Sequence, residues 1–501
     1  MGPSTPSPPG VLPHEIVEEI LIYLDLNSIK SLRLSSRSFC ERCTGYRFMQ
    51  FCRVQSIELT QPSLRSLQEL LGHPTLSTAV KDLEIVATVY DQTTPRMVIK
   101  AWKNKQENRS TQTMFSHNIY DPNQEDLSRA EATIAWLQAK QDFQDELSYN
   151  EAVKQLTLCL SQIRKLDRIE LDAVIIQGPS QKVTTDTGDT NWYPVWMQAS
   201  RTYCTTMEAI TLSQLKLETL NIYQRTPRCS VPLYDIATHV EMLDANKSCY
   251  MGKHIDHLSL SISDKVSTGA TDRPPRKPVT CHEVACYEKR NPRLIEVVSL
   301  GDDDSGGDER MDGLAQLLKF TPNLKALDIH FYTTKLAVAD SILDPINRKA
   351  PMALLRKCKI GGITTSQDSL IQFLSNHPNI TDLALCWIAI IPEGSWDHIF
   401  SLLERRVPGL TRLHLSYLKG GPTGTINLHP VWNDDPEELR VNRRSQLYYI
   451  PVKVFDADDI SKGLNFRPMP DYPVQGSSDN AKRAHDSQRE YGCPWLARGD
   501  S

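Results

Sequence analysis

Cys40-Glu41-Arg42-Cys43, with Cys52 nearby, sets two thiols one helical turn apart, the spacing of half a zinc site. A structural zinc takes four ligands, and this pair has no partner pair to complete a tetrahedron. Cys281, His282 and Cys286 form an equally incomplete set. His14-Glu15 opens like a metalloprotease helix, but Glu18 stands where the second histidine is needed. Asp302-Asp303-Asp304 with Gly306-Gly307 offers oxygens for calcium, yet glycine occupies a ligand position of the EF-hand spacing, so the run reads as a solvated acidic loop. His254 and His257 flank an apolar-alternating strand and read as surface or hydrogen-bonded histidines. A GxSxG elbow, a P-loop and an HExxH helix are missing from the sequence. Arg498-Gly499-Asp500 is a chance tripeptide in a chain read as non-secreted. The residue types therefore predict no catalytic residues, no metal and no cofactor, and the chain reads as a non-enzyme.

What the sequence offers instead is surplus apolar surface on short helices. The stretch LPHEIVEEILIYLDLNSIKSLRLSSRSF, Leu12–Phe39, reads as three of them. Pro13 suits a first helical position, where a missing N–H costs nothing. Glu15, Glu18 and Glu19 bring negative charge to the early turns. Ile16, Val17, Ile20, Leu21 and Leu24 recur at helical spacing and, with Tyr23, cover an arc of roughly 160°, wider than one core-facing stripe needs. Ile22 falls outside it. Asn27 is placed to cap a second helix carrying Ile29 and Leu32, Ser35-Ser36 ends it, and a third begins near Arg37. So small a unit cannot hide all of this against itself, which points to a partner protein.

Leu12-Pro13, Glu15-Ile16, Ile20-Leu21, Tyr23-Leu24, Ile29, Leu32, Ser36-Arg37 and Phe39 stand in the order and spacing of the F-box family, which the stretch resembles. The acidic residue that the family often carries before the apolar Ile29 position is replaced here by Asn27-Ser28. The resemblance implies docking on a Skp-type adaptor and, through it, on a cullin. It makes Leu12, Pro13, Ile16, Ile20, Leu21, Leu24 and Ile29 the expected adaptor-binding set.

The 501 residues carry 56 Lys+Arg against 61 Asp+Glu, a formal net charge of -5, which argues against a general binder of nucleic acid or acidic membranes. No apolar run approaches the roughly 20 residues of a membrane span. MGPSTPSPPG lacks the basic and apolar parts of a secretory signal and reads as a disordered leader over residues 1–10. The 12 cysteines are scattered, several within apolar patterns as at Cys159 and Cys386, and read as reduced thiols of the cytoplasm or nucleus. Asn108, Asn246 and Asn379 fit the glycosylation pattern only by chance on that reading.

After Cys52 one unit recurs: a short strand with alternating apolar residues, a helix, then another such strand. The strands centre on Ile57-Glu58-Leu59, Leu83-Glu84-Ile85, Ile169-Glu170-Leu171, Leu220-Asn221-Ile222, Leu258-Ser259-Leu260, Leu327-Asp328-Ile329, Cys358-Lys359-Ile360, Leu383-Ala384-Leu385 and Leu413-His414-Leu415. In each, the flanking residues point to the core and the middle one to solvent. Helices are predicted at Pro62–Leu71 and Gly313–Phe320, and around Leu370–Leu374 and Trp396–Leu403. FTPNLKALDI, NHPNITDLAL and RVPGLTRLHL share one grammar, a proline after a helix end and before an apolar strand. The spacing approaches a leucine-rich-repeat period, and the pattern resembles fungal-type F-box proteins with irregular leucine-rich repeats.

The expected fold is α/β: an N-terminal three-helix F-box over 11–52, then an irregular leucine-rich-repeat solenoid over 53–420. Polar insertions interrupt it near 91–125, 177–200 and 264–312, and a mostly irregular extension fills 421–501, with a last strand pair within Leu447–Phe455. Asp91–Glu125 precedes a helical hairpin whose second helix carries Ala152, Leu156, Cys159, Leu160 and Ile163 on one face. Asp302–Asp312 and the tail after Asp471 are expected to be mobile. Lys357, Lys359 and Arg412 are the expected target-binding residues, on one concave face with Asp328 and Asp382. The functional expectation is a substrate receptor of a Skp–cullin–F-box ubiquitin ligase; the alternative is a leucine-rich scaffold that binds the adaptor without promoting ubiquitination.

Overall fold

The computed structural model describes residues 12–108, 122–179, 181–183, 193–226, 229–242, 252–263, 307–332, 343–390, 394–407, 409–420, 426, 428, 452–464 and 466. Four short helices come first: α1 (His14–Ile22), α2 (Leu26–Ser35), α3 (Arg37–Arg42) and α4 (Tyr46–Arg53). Then strands β1 (Val54–Glu58), β2 (Asp82–Tyr90), β3 (Lys165–Gly178), β4 (Gln181–Val183), β5 (Lys216–Ile222), β6 (Val231–Pro232), β7 (His257–Ser263), β8 (Ala326–Tyr332), β9 (Lys357–Gly361), β10 (Thr364–Thr365), β11 (Asp382–Cys386), β12 (Ala389–Ile390), β13 (Arg412–Ser416) and β14 (Val452–Asp456) follow. Between and after them lie α5 (Gln61–Gly72), α6 (Pro74–Ser77), α7 (Thr93–Asn108), α8 (Gln124–Asp145), α9 (Tyr149–Ser161), α10 (Tyr193–Ser213), α11 (Leu233–Met242), α12 (Gly307–Lys319), α13 (Leu343–Lys349), α14 (Gln367–Asn376), α15 (Trp396–Arg406) and α16 (Ala457–Ser461).

The main sheet keeps the order of the chain, β1-β2-β3-β5-β7-β8-β9-β11-β13-β14, and its neighbours are parallel except β14, which returns antiparallel to β13. Right-handed crossovers in such an order put the connecting helices on one face. Most form a single layer there, α5 packing on α9, α9 on α10, α10 on α11, α11 on α12, α12 on α13, α13 on α14 and α14 on α15, while α8 lies against β2 and β3 from the other face with α7 packed on it. Eight of the nine predicted strand motifs fall in register, and the first is offset by two residues, with Ile57 opposite Ile85. Leu83, Ile169, Leu220, Leu258, Leu327, Cys358, Leu383 and Leu413 form one row, buried under the helix layer. Burying each such side chain contributes roughly 1.5–3 kcal/mol before chain entropy is counted.

Adjacent units are tied at the strand entrances. The carbonyl before one strand accepts two amide N–H groups from the next: Asp167 and Arg168 on Lys81, Lys325 and Ala326 on Asp256, Arg356 and Lys357 on Lys325, Thr381 and Asp382 on Arg356, and Thr411 and Arg412 on Thr381. The shared Pro-Asn phrase adds a side chain to this tie. Asn323 Nδ2 donates to the Lys253 carbonyl at 2.8 Å, and Asn379 Nδ2 to that of Ala353 at 3.1 Å. At the other strand ends the chain bends through positive φ at Tyr223, Gly362, Trp387 and Tyr417. The bends are paired across units, with Gly362 N–H donating to Cys386 O at 3.0 Å and Trp387 N–H to Ser416 O at 2.8 Å. Trp387 and Tyr417 stack at 3.9 Å.

Several expectations are corrected. The N-terminal unit has a fourth helix, α4, whose Phe48 and Cys52 complete a core with Val17, Leu21, Ile29 and Cys43. Pro13 is the residue before α1 rather than its first, held extended at ψ 151. Asp25, not Asn27, caps α2, because its carboxylate reaches Ser28 N–H at 2.7 Å. The insertion expected near 91–125 is helical over α7, with 109–121 outside the described residues. The one near 177–200 includes the end of β3, the short β4 and the start of α10, where Val195, Trp196 and Ala199 are buried. In the third, 264–306 lies outside the described residues, while α12 starts at Gly307, earlier than the predicted Gly313, and Asp312 holds Lys349 at 2.6 Å. The final strand pair is one described strand, β14. Middle residues of the strands are not all solvated either: Glu170, Ser259 and Ala384 are buried. The leader and the tail beyond 466 lie outside the described residues.

Candidate docking surfaces

The N-terminal helices close around one small core, set apart from the core of the sheet. Glu18 on α1 reaches Arg47 N–H, in the first turn of α4, at 3.3 Å. A Cβ at Gly45 would meet that carboxylate, so the glycine leaves room for Glu18 to sit at the α4 N-terminus. Arg33 lies 4.0 Å from the Phe48 ring centroid and Arg42 donates to the Leu12 carbonyl, which fastens the chain entry to α3.

This core divides the expected adaptor-binding residues. Leu21 and Ile29 are fully buried in it, and Leu24 is half-buried against it. Leu12, Ile16 and Ile20 are 45%, 46% and 41% exposed, at i, i+4 and i+8, and Pro13 beside them is exposed too. They form a ridge, and Ile22 and Tyr23 are exposed as well, Ile22 on another side of the helix. Leu34, at 88% exposure, lies outside the expected set; its one signal in the sequence is a leucine off the Ile29–Leu32 face of α2. Leaving so many large apolar groups in water marks an interaction surface.

Residues 11–51 match the family model of the F-box domain. This segment is an F-box domain. No curated protein matches the chain. F-box domains bind Skp-type adaptors, and the exposed ridge lies wholly within the matched residues from Leu12 on.

Zinc chemistry finds no constellation in the F-box. Cys43 and Cys52 are buried in its core, where burial raises both thiols, and Cys40 is exposed with Arg33 donating to its Sγ at 3.9 Å. Among the described residues no group of three or more His, Cys, Asp or Glu side chains is arranged to hold a metal ion. Cys281, His282, Cys286 and the acidic run at 302–304 lie outside them. His257 is half-buried on β7, and burial lowers its pKa. No described helix is long and apolar enough to cross a membrane.

On the open face of the sheet, Lys357, Lys359 and Arg412 do share one side, because alternate residues of β9, β11 and β13 point there. They are not a continuous basic cluster. Asp382 stands in register between Lys357 and Arg412. Lys359 Nζ lies 3.1 Å from Asp328 Oδ2, which also accepts from Gln224 Nε2 at 2.7 Å. At the F-box end of this face the charges are mainly acidic and partly clasped. Arg225 spans Glu84 at 3.2 Å and Glu170 at 3.4 Å, and Arg168 reaches Asp82 at 3.5 Å. Burial pushes the Glu170 carboxyl up, and the two arginines pull it back.

Proposed function

We propose that this protein is the substrate-recognition subunit of a Skp–cullin–F-box ubiquitin ligase. The observation that supports the reading is the exposed Leu12–Ile16–Ile20 ridge on an F-box with its own core, against which only Leu76 and Ala79 pack from beyond it among the described residues. The F-box docks the adaptor, the adaptor brings the cullin, and the sheet that follows α4 without a linker carries the target. The sheet is best read as a degenerate leucine-rich-repeat solenoid of fungal type, since one strand–helix unit repeats in register and its units share the same carbonyl ties. The protein itself is not an enzyme on this reading. It holds a target lysine near the loaded conjugating enzyme and raises its effective concentration. Its place of action is the cytoplasm or nucleus.

The test is co-purification. The full chain should bring down a Skp-type adaptor and a cullin, and Leu12→Ala with Pro13→Ala should lose both while the sheet stays folded. Unchanged adaptor recovery from the double variant would move the docking site elsewhere. Adaptor without cullin would favour a scaffold over a ligase subunit.

A further inference from the structure

A cleft of about 530 Å³ opens on the sheet face opposite the helix layer, at the F-box end, between β1, β2, β3 and α8. Its lining includes Ser56, Glu58, Ser63, Thr88 and Trp136. The elements explain why it exists. α7 and α8 leave the chain between β2 and β3, and α8 lies back against both strands. Gln144 pins it there, its Nε2 donating to Thr88 O at 3.2 Å.

The polar groups at this cleft are rich in acceptors. Glu58 takes a hydrogen bond from Thr88 Oγ1 at 2.9 Å and makes no salt bridge among the described residues. Its charge helps burial raise the Tyr90 phenol. Ser56, Ser63 and Thr88 add hydroxyl oxygens to the lining. Trp136 adds an aromatic wall, with Lys140 Nζ 5.8 Å from its ring centroid. The contrast with the far end of the same face is direct: there Lys359 is paired with Asp328, whereas here, among the described residues, the carboxylate has no cation.

We infer that this cleft captures a lysine or arginine side chain of the target protein, with Glu58 as its counter-ion and Trp136 as its apolar and cation–π wall. This rests on the reading of the open face as the target surface and makes that reading specific. An ammonium or guanidinium supplies donors to the Glu58 carboxylate and the lining hydroxyls, and its aliphatic stem lies along Val86 and Val174 of the lining. Glu58 ends the first strand after the F-box, so a target held here sits at the adaptor-proximal end of the sheet.

The test uses full-length protein bound to its adaptor and an array of decapeptides, each with one varied position in a Gly/Ser background. Peptides with Lys or Arg at the varied position should bind best. Glu58→Gln should weaken them about tenfold, the loss of one charge-assisted contact, and Trp136→Leu should also weaken them; Lys357→Ala should not. Trp136 is partly exposed, so its variant decides the question if Glu58→Gln does not fold. Lack of a basic preference, an unchanged preference in both cleft variants, or no peptide signal at all overturns the inference. Adaptor recovery from the same preparation shows whether the receptor reading falls with it.

Discussion

Lys359 Nζ lies 3.1 Å from Asp328 Oδ2 across neighbouring strands, in a row where the side chains are only partly reached by water. The lysine is therefore part of the sheet's own charge balance before it is part of any target site. Lys359→Glu would set two carboxylates opposite one another and should cost roughly 2 kcal/mol in urea unfolding. Adding Asp328→Lys should recover at least half of that, though not the Gln224 hydrogen bond. A Lys359→Glu variant as stable as the wild type would show that the pair contributes nothing to the fold. Loss of target capture by this variant is interpretable only alongside the swapped pair.

The Asn379 bond to Ala353 and the Asn323 bond to Lys253 are the same joint in two units. Both are exposed, so replacing either asparagine by alanine should cost only about 0.5–1 kcal/mol. The third phrase has Gly409 at this place, with open space around it. Gly409→Asn should let a side-chain amide reach the Pro378 carbonyl and raise the melting temperature. Hydrogen exchange at Thr411 and Arg412, whose N–H groups bind the Thr381 carbonyl beside this joint, should slow in that variant.

Those phrases show how far the sequence was readable. All nine strand motifs were visible because alternation has a period of two and one face is buried, leaving register little freedom. The helix α10 was partly missed for the opposite reason. Ser200, Thr202, Thr205 and Thr206 are buried along with Tyr203 and Met207, so no polar face alternates with an apolar one and the Thr-rich segment has no clear helical period. The positive-φ bends were also hidden. Glycine is the residue expected there, and Gly362 fits, but Trp387 and Tyr417 hold equivalent places, and Tyr223 one a residue earlier, that side-chain type alone does not signal. In the F-box, spacing named the right helix face but could not divide it. Ile20 and Leu21 are adjacent, and only the position of α4 decides which one water reaches. The neutralisation of Lys359 was equally invisible, since it depends on Asp328 being its cross-strand partner. The cleft depends on α8 folding back over the sheet, a long-range event with no local signature.

Asp235 on α11 receives the Ser200 hydroxyl at 2.6 Å, and burial still pushes its carboxyl from 3.8 up to about 6. The sign follows from proton binding. Well below pH 3.8 both folded and unfolded states hold the proton, and the group has no effect. Between there and pH 6 the unfolded chain releases it first, so stability falls as pH rises. Above pH 6 the cost is complete, at most ~3 kcal/mol for a shift of this size. Asp235→Asn keeps an acceptor for Ser200 and removes the charge. It should therefore be more stable than wild type at pH 7 and nearly equal to it at pH 3.5, as read by denaturant titration at both values. Equal stability at pH 7 would mean that the carboxyl is well solvated.

Leu21 and Ile20 are sequence neighbours with opposite jobs. Leu21 is fully buried among Val17, Ile29 and Phe48, while Ile20 is 41% exposed beside Ile16. Truncating Leu21 to alanine opens a cavity in a core of few residues and should cost roughly 2–5 kcal/mol. Because the F-box core is separate from that of the sheet, the loss should appear as local unfolding of residues 12–53 and early proteolysis there, with the sheet intact. Ile16→Ala with Ile20→Ala removes groups already half in water and should change stability by less than about 1 kcal/mol. The same pair should weaken adaptor binding tenfold or more by calorimetry, as apolar anchors of an interface do. Leu21→Ala should also lose adaptor, but through unfolding, so lowering the temperature should restore part of its binding and none of the double variant's. If the double variant binds normally while Leu21→Ala unfolds, the ridge is spare surface and the adaptor contact must be built on Leu34 and Tyr23 instead.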